Sequence, residues 1–305
     1  MVWLSGLLPY KQASAVFERI GGRWVPSASL WRETRRYGKG LREREVHRQM
    51  QVRPERVVLP GEDLDIRRGV SLDGGMVNIR GEGWKEMKAG AVFEVELRLE
   101  RDPQTGEWVE QPHALQTSYT AVLGSVDAFA PALWRLAVEQ QVPRAFYSSV
   151  TADGAEWIWN LAADYFPDSV QIVDWYHACQ HLSSAAEALH PGDKEAAQRW
   201  FRQRQNDLFK GRIDTITRPL DQATLPDQAH YFHTHKRRMQ YQAFHEEGYP
   251  IGSGTVESEI KQFKARLSGP GMRWSRPAAE QMLVIRSAVL DHSFDTLWDA
   301  ALPLI

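Results

Sequence analysis

A strand-helix-strand pattern between residues 144 and 175 constrains the fold of this chain more than any other feature. A β-prone run at about 144–152 is followed by a helical run at 154–166 and a second β-prone run at 169–175. Asp153 closes the first β-prone run, and the second ends in Asp174-Trp-Tyr-His177. The pattern predicts two strands of one sheet, a helix between them, and an acidic residue at the end of each strand.

Three more strand-like runs precede this unit, at 69–73, 91–97 and 118–123. Turn-rich segments separate them, which favours an antiparallel meander. Residues 127–141 then have the apolar periodicity of an amphipathic helix. The order of three strands, helix, strand, helix, strand predicts a mixed α/β sheet.

The first 55 residues have a helical pattern and a basic segment. Helical runs at 9–20 and 27–38 flank Gly21-Gly22 and resemble a helix-turn-helix. The second run carries basic residues of the kind that contact a DNA groove or phosphates: Arg32, Arg35, Arg36 and Lys39. A solvated face on a small helical hairpin is an equally good interpretation.

Helical patterns also dominate the second half of the chain. Residues 178–247 have helical runs with charged, His-rich and Pro-interrupted connections, which predict a mostly helical insertion. A Gly-rich turn at 250–254 precedes a helix that opens at about Thr255, and a last apolar helix covers about 277–290. These patterns predict four parts: a helix-turn-helix-like segment (1–55), the first part of a core (56–180), the insertion (181–247) and the C-terminal helices of the core (248–305).

Composition narrows the range of functions. The 305 residues have a formal net charge of -2, so any contact with nucleic acid has to come from local patches. The single cysteine, Cys179, rules out an intramolecular disulfide and a cysteine-based zinc site, and it suits a reducing cytosol. No apolar run approaches the ~20 residues of a membrane-spanning helix. We expect a cytoplasmic protein without a membrane partner.

Two aspartates follow strands and precede glycine, in Asp73-Gly74-Gly75 and Asp153-Gly154. Each alone is also typical of an ordinary turn or helix cap. Two carboxylates at the ends of neighbouring strands repel each other unless a cation lies between them. A hard divalent ion is the natural occupant of such a site.

Glu257 is the third candidate ligand, on the helix that follows the Gly-rich turn. Glu259 faces roughly 200° around that helix, given ~3.6 residues per turn, so both cannot face one metal ion. Lys261 and Lys264 lie on the same side as Glu257 and are candidates to hold phosphates, with Arg266 beside them. Ordinary pairing on a surface helix is the more common role of such lysines.

Residues 70–290 resemble the DDE transposases of bacterial insertion sequences, specifically the Kra-type group and its Lre-type and Mutator-like relatives. The resemblance rests on the order and spacing of five short motifs. They are Ser71-Leu-Asp73-Gly-Gly, Ala152-Asp153-Gly-Ala-Glu-Trp-Ile-Trp159, Asp174-Trp-Tyr-His177, Gly252-Ser-Gly-Thr-Val-Glu257-Ser, and Arg266-Leu with Gly271-Met-Arg-Trp274-Ser.

The resemblance implies an RNase H-like fold in which Asp73, Asp153 and Glu257 are the catalytic residues and an all-helical insertion precedes the last of them. It also implies that Asp174 and His177 form a signature between the second aspartate and the glutamate. Asp174 competes with Asp153 for the second catalytic place. We favour Asp153, because the fourth strand of this fold adjoins the first, whereas the fifth lies at the edge. His177 then supports the insertion, since no cysteines accompany it to hold zinc.

The function implied is DNA transposition. Two Mg²⁺ (or Mn²⁺) ions held by the three carboxylates would serve strand cleavage at the terminal inverted repeats of a transposon and transfer of the freed 3′-OH to target DNA. The family acts on double-stranded DNA in a bacterial cytoplasm, at the nucleoid, and its members form homo-oligomers to hold two DNA ends together.

Two alternatives remain open. A catalytically inactive, transposase-derived DNA-binding protein would keep the fold and the basic helices, and would bind DNA with a steep salt dependence without cutting it. A hydrolase that uses paired carboxylates on sugars would need two acids ~5–9.5 Å apart and no metal. Metal dependence separates the sugar hydrolase from the transposase.

Overall fold

A computed structural model of the chain describes residues 1–52, 66–101, 106–252 and 254–301, with the backbone alone at 254–260, 300 and 301. Part of the predicted core, residues 56–65, lies outside these ranges. The described chain begins with three helices, and a five-stranded sheet with interspersed helices follows. None of the described helices is both long and apolar enough to cross a membrane.

The sheet consists of β1 (Arg67–Ile79), β2 (Gly83–Arg101), β3 (Trp108–Leu123), β4 (Tyr147–Ala152) and β5 (Val170–Val173). Its strand order is β3-β2-β1-β4-β5. The first three strands form an antiparallel meander, and β1, β4 and β5 run parallel to one another. The predicted mixed α/β sheet is confirmed, and this order is compatible with an RNase H-like fold.

Helices cover both faces of the sheet. One apolar core packs α4 (Val126–Glu139), α5 (Glu156–Tyr165) and α6 (Trp175–Leu189) against β4 and β5. The same core continues into the predicted insertion, which contains α7 (Lys194–Phe209), α8 (Asp214–Gln222), α9 (Pro226–His235) and α10 (Tyr241–Glu246). A second core lies on the other face, against α11 (Gly254–Leu267) and α12 (Arg276–Leu290). The sheet is therefore buried between two helical layers.

The N-terminal segment folds onto this second layer. It contains α1 (Val2–Leu7), α2 (Tyr10–Gly21) and α3 (Ser27–Gln51), and Val2 and Leu41 belong to the second core. The sequence pattern predicted that the third of these helices would end near Gly38, but it continues to Gln51. A Cβ at position 38 would lie 2.9 Å from Cβ of Gln281, so this glycine is a place of close helix packing rather than a helix end.

Candidate active site

The carboxyl ends of β1, β4 and β5 bring three aspartates into one row. In the paired register, the residue before Asp73 lies beside the residue before Asp153, which in turn lies beside the residue before Asp174. Because the three strands are parallel, these aspartates occupy consecutive places along the same edge of the sheet. The sequence predicted an acidic residue at each strand end, and the fold places the three side by side.

Asp153 lies in a tight turn that its own side chain stabilises. Its Oδ1 accepts a hydrogen bond of 2.9 Å from the backbone N–H of Ala155, just before α5 begins. Gly154 has a φ of +110°, a conformation that side-chain-bearing residues rarely adopt. On the other side of the turn, the Tyr231 hydroxyl donates to the carbonyl oxygen of Asp153 at 3.1 Å. The turn is therefore held from both sides.

Two histidines of the helical insertion pack with Tyr231 against this turn. The His181 ring stacks on the Tyr231 ring with centroids 3.6 Å apart and an angle of 15°, and His235 meets Tyr231 edge-on at 4.9 Å. Burial and, to a smaller extent, the positive charge of Arg238 lower the pKa of His235 to about 4. Burial raises the pKa of Tyr231, and the negative charges of Asp153 and Asp174 add to that rise. At neutral pH His235 is neutral and Tyr231 keeps its proton.

Asp174 differs from Asp153 in its burial and in its hydrogen bonds. It is 1% exposed, and its Oδ1 accepts from the backbone N–H of His177 at 2.9 Å, which caps the start of α6. The same oxygen lies 3.3 Å from Nδ1 of His177. Asp174 is thus engaged inside the protein, whereas Asp153 and Asp73 are partly exposed. The arrangement favours Asp153 over Asp174 as a group that meets a ligand from solvent.

Asp73 is bound by a lysine from the opposite layer. Its Oδ1 accepts from the backbone N–H of Gly74 at 2.6 Å, and its Oδ2 lies 2.8 Å from Nζ of Lys264 on α11. Both partners are partly exposed, with 30% of the aspartate side chain and 38% of the lysine side chain accessible. From the sequence, Lys264 was a candidate to hold a phosphate; in the structure its partner is Asp73, a candidate metal ligand.

The segment before α11 runs along the ends of β4 and β5. The Thr151 hydroxyl donates to the carbonyl oxygen of Pro250 at 3.4 Å, and the Trp175 N–H donates to that of Ile251 at 2.9 Å. From this start α11 extends toward β1, where Lys264 reaches Asp73. Glu257 lies in the first part of α11, and its side chain is outside the described residues.

The donor set suits a hard divalent cation, because carboxylate oxygens at one sheet edge are the ligands that Mg²⁺ and Mn²⁺ prefer. Within the described residues, no group of three or more His, Cys, Asp or Glu side chains is placed to share one ion. The side chain of Glu257, the third predicted ligand, lies outside the described residues.

The predicted basic surface of α3 is accessible in part. Arg32, Arg36 and Lys39 are exposed, and Arg35 is half-buried with its guanidinium 5.5 Å from the Trp31 ring centre. Arg32 donates to the Ser29 hydroxyl at 2.9 Å, and Lys39 lies 3.9 Å from Glu43. Lys261 on α11 is exposed as well. The contacts that hold these side chains are at the surface, where ion pairs are individually weak.

The prediction of a DNA contact for Arg266 is wrong. Its side chain is 3% exposed, and its Nε donates to the carbonyl oxygen of Ser5 at 2.8 Å. The guanidinium also lies 5.2 Å from the Tyr10 ring centre and 5.0 Å from that of Trp274. Arg266 extends from α11 and is enclosed by the N-terminal helices and Trp274, so it joins α11 to those helices and does not face solvent.

The histidine-rich stretch of the insertion is only partly exposed, since His235 is 5% exposed. His233 is exposed but is paired with Asp221 at 3.2 Å. The contact of Tyr231 with the Asp153 turn was not predicted, because it joins positions 78 residues apart. The Asp153-Gly154 pair was the only local signal of a crowded turn at that point.

Comparisons with known protein families and with curated protein sequences find no match for this chain.

Proposed function

We propose that this protein is a DDE-type DNA transposase, with Asp73, Asp153 and Glu257 as its catalytic carboxylates. The observation that carries the proposal is the register of β1 and β4, because it sets Asp73 and Asp153 at adjacent ends of parallel strands. Carboxylates at adjacent strand ends repel each other, and a cation bound between them relieves this repulsion. A surface salt-bridge network would not require this placement.

The fold supports the same proposal. The strand order β3-β2-β1-β4-β5, with only β2 running against the others' common direction, agrees with the RNase H-like topology that the sequence resemblance implies. Helices α7 to α10 lie between β5 and α11, at the place where the resemblance implies an all-helical insertion. The proposed Glu257 is on the helix that follows this insertion.

The three carboxylates would hold two Mg²⁺ or Mn²⁺ ions, which when bound activate a water or a 3′-OH and stabilise the leaving oxygen of an in-line displacement. The residues of the chain have separate tasks in this scheme. The hydrogen bonds to Ala155 and Tyr231 hold the Asp153 turn in place. Asp174 holds the start of α6 through His177, beside the turn but not in it.

The proposed substrate is double-stranded DNA, comprising the terminal inverted repeats of a transposon and a target duplex. Arg32, Arg35, Arg36 and Lys39 on α3, with Lys261 and Lys264 on α11, are the proposed contacts to its backbone. The proposal includes a homo-oligomer, because two DNA ends have to be held together. The place of action proposed is the bacterial cytoplasm, at the nucleoid.

The test is cleavage and strand transfer on duplexes that carry the inverted repeats flanking the coding sequence. Wild type and Asp73→Asn are compared with Mg²⁺, with Mn²⁺ and with a chelator. The proposal predicts metal-dependent cleavage by wild type and a loss on the order of 10³-fold in Asp73→Asn, since metal-ion stabilisation contributes several kcal/mol.

Binding without cleavage in every metal would contradict the proposal and support the catalytically inactive DNA-binding protein. The binding assay distinguishes the two further, because a DNA-binding protein loses affinity steeply as salt rises whether or not it cuts. Hydrolysis of glycosides without any metal would instead support the sugar hydrolase.

A further inference from the structure

The ammonium group of Lys264 lies where a cation would be expected beside Asp73. The distance of 2.8 Å from its Nζ to Oδ2 of Asp73 is that of a charge-assisted hydrogen bond. This contact joins residues 191 positions apart and links α11 to β1. It therefore depends on the fold and not on local helix pairing.

The path of the lysine is shaped by a glycine. A Cβ at position 75 would lie 3.1 Å from Cε and 3.5 Å from Cγ of Lys264, so the lysine stem crosses β1 directly over Gly75. The same added atom would be 3.2 Å from Cε of Met87. Any larger residue at position 75 would displace the stem, and the ammonium group with it.

We propose that Lys264 is an internal competitor of the metal at Asp73, and that metal binding releases this lysine to hold a DNA phosphate. The inference rests on the proposed function and adds a coupling between its two ligands. A divalent ion and an ammonium group repel each other at contact distance, so a metal ion bound at Oδ2 of Asp73 weakens the contact of that oxygen with Lys264. In the proposed exchange the metal ion takes this place and the lysine leaves.

A metal ion can replace Lys264 at Asp73 because the ion pair between these two side chains is weak. Both side chains are about one third exposed, and ion pairs of that kind are easily replaced by a better ligand. A released Lys264 lies on the same helix as Lys261, three residues away, where both can reach one backbone. Because linkage is reciprocal, metal should raise the affinity for DNA, and DNA should raise the affinity for metal.

The first test measures binding of Mn²⁺ to the full-length protein by calorimetry, without DNA. Wild type, Lys264→Met and the control Lys261→Met are compared. Loss of the competitor should tighten Mn²⁺ binding by Lys264→Met about two- to fivefold, the size of a partly exposed ion pair. Lys261→Met should change it less, and Lys264→Arg, which keeps the charge, should bind Mn²⁺ as wild type does.

The variant Gly75→Ala provides a second, independent perturbation. It keeps every charge and crowds the stem of Lys264, together with Cε of the uncharged Met87, so it should tighten Mn²⁺ binding in the same direction as Lys264→Met. In the double variant Gly75→Ala/Lys264→Met the two effects should not add, since the same contact is removed twice.

The second test measures duplex DNA binding with Ca²⁺, which supports binding without requiring turnover. Ca²⁺ should increase the affinity of wild type more than that of Lys264→Met. Equal Mn²⁺ affinities of wild type and Lys264→Met would overturn this inference and leave the proposed metal site intact. Absence of Mn²⁺ binding in all variants would overturn both the proposed function and the inference.

Discussion

Replacing Gly154 by alanine should destabilise the protein and disturb the Asp153 turn. The φ of +110° at this position costs a side-chain-bearing residue ~1–3 kcal/mol. The new Cβ would also lie 2.9 Å from Cε2 of Tyr231 and 3.3 Å from Nε2 of His235. The Tyr231 ring then has to move, and its hydrogen bond to the Asp153 carbonyl, worth ~1 kcal/mol, is lost.

Together, the backbone strain and the lost hydrogen bond should lower the free energy of unfolding of Gly154→Ala by ~2–4 kcal/mol, which urea denaturation can measure. The matched control is Gly192→Ala, between α6 and α7. Its φ is +82°, and an added Cβ would meet nothing within 4 Å. In this control, backbone strain alone should lower the free energy of unfolding, by ~1–2 kcal/mol.

The difference between the two variants isolates the contact of the insertion with the turn. In a double-mutant cycle, Tyr231→Ala should partly relieve Gly154→Ala, because it removes the ring that the new atom meets. If Gly154→Ala loses no more stability than Gly192→Ala, or if the effects of Gly154→Ala and Tyr231→Ala are additive, the insertion does not hold this turn and the reasoning is refuted.

Two further predictions concern buried charged or titratable groups. Arg266→Ala should lower the free energy of unfolding by ~2–4 kcal/mol, because it leaves the Ser5 carbonyl unpaired and opens a cavity. The control Arg32→Ala should change the free energy of unfolding by less than ~0.5 kcal/mol but weaken DNA binding. Equal stability losses in the two variants would contradict the burial of Arg266. The folded-state pKa of His235, about 4, lies below its ordinary 6.5, so the unfolded state binds a proton first and stability should fall as pH drops from 6.5 to about 4. Urea midpoints should show a shallower fall over this window in His235→Gln, and identical slopes would contradict the assigned pKa.

Much of the sheet could be predicted from local sequence patterns. The strands near 118–123 and 144–152 and the helix at 127–141 are short-range signals of periodicity and turn chemistry, and they lie close to β3, β4 and α4. The position of Asp153 after a strand was visible for the same reason. Its nearness to Asp73 required the strand order, which the resemblance supplied and periodicity alone could not.

The errors have a common physical origin, since they involve contacts between distant parts of the chain. Arg266 is on the helix face that the N-terminal helices cover, and nothing near it in sequence indicates that cover. Gly38 was interpreted as a helix end, because the packing partners that favour a glycine there, Gln281 and Ile285, are over 240 positions away. The contact of Lys264 with Asp73 likewise joins residues that are far apart in the sequence.

Asp73, Asp153 and Glu257 are proposed to hold the catalytic metal ions. The most direct test is the rate of Mg²⁺-dependent cleavage of the inverted-repeat duplex by Asp153→Asn and Asp174→Asn in parallel. Asparagine keeps the oxygen that accepts from Ala155 or from His177, so both variants should fold. The account predicts that Asp153→Asn loses cleavage by about 10³-fold while Asp174→Asn keeps most of it. Cleavage that survives in Asp153→Asn and disappears in Asp174→Asn would contradict the account.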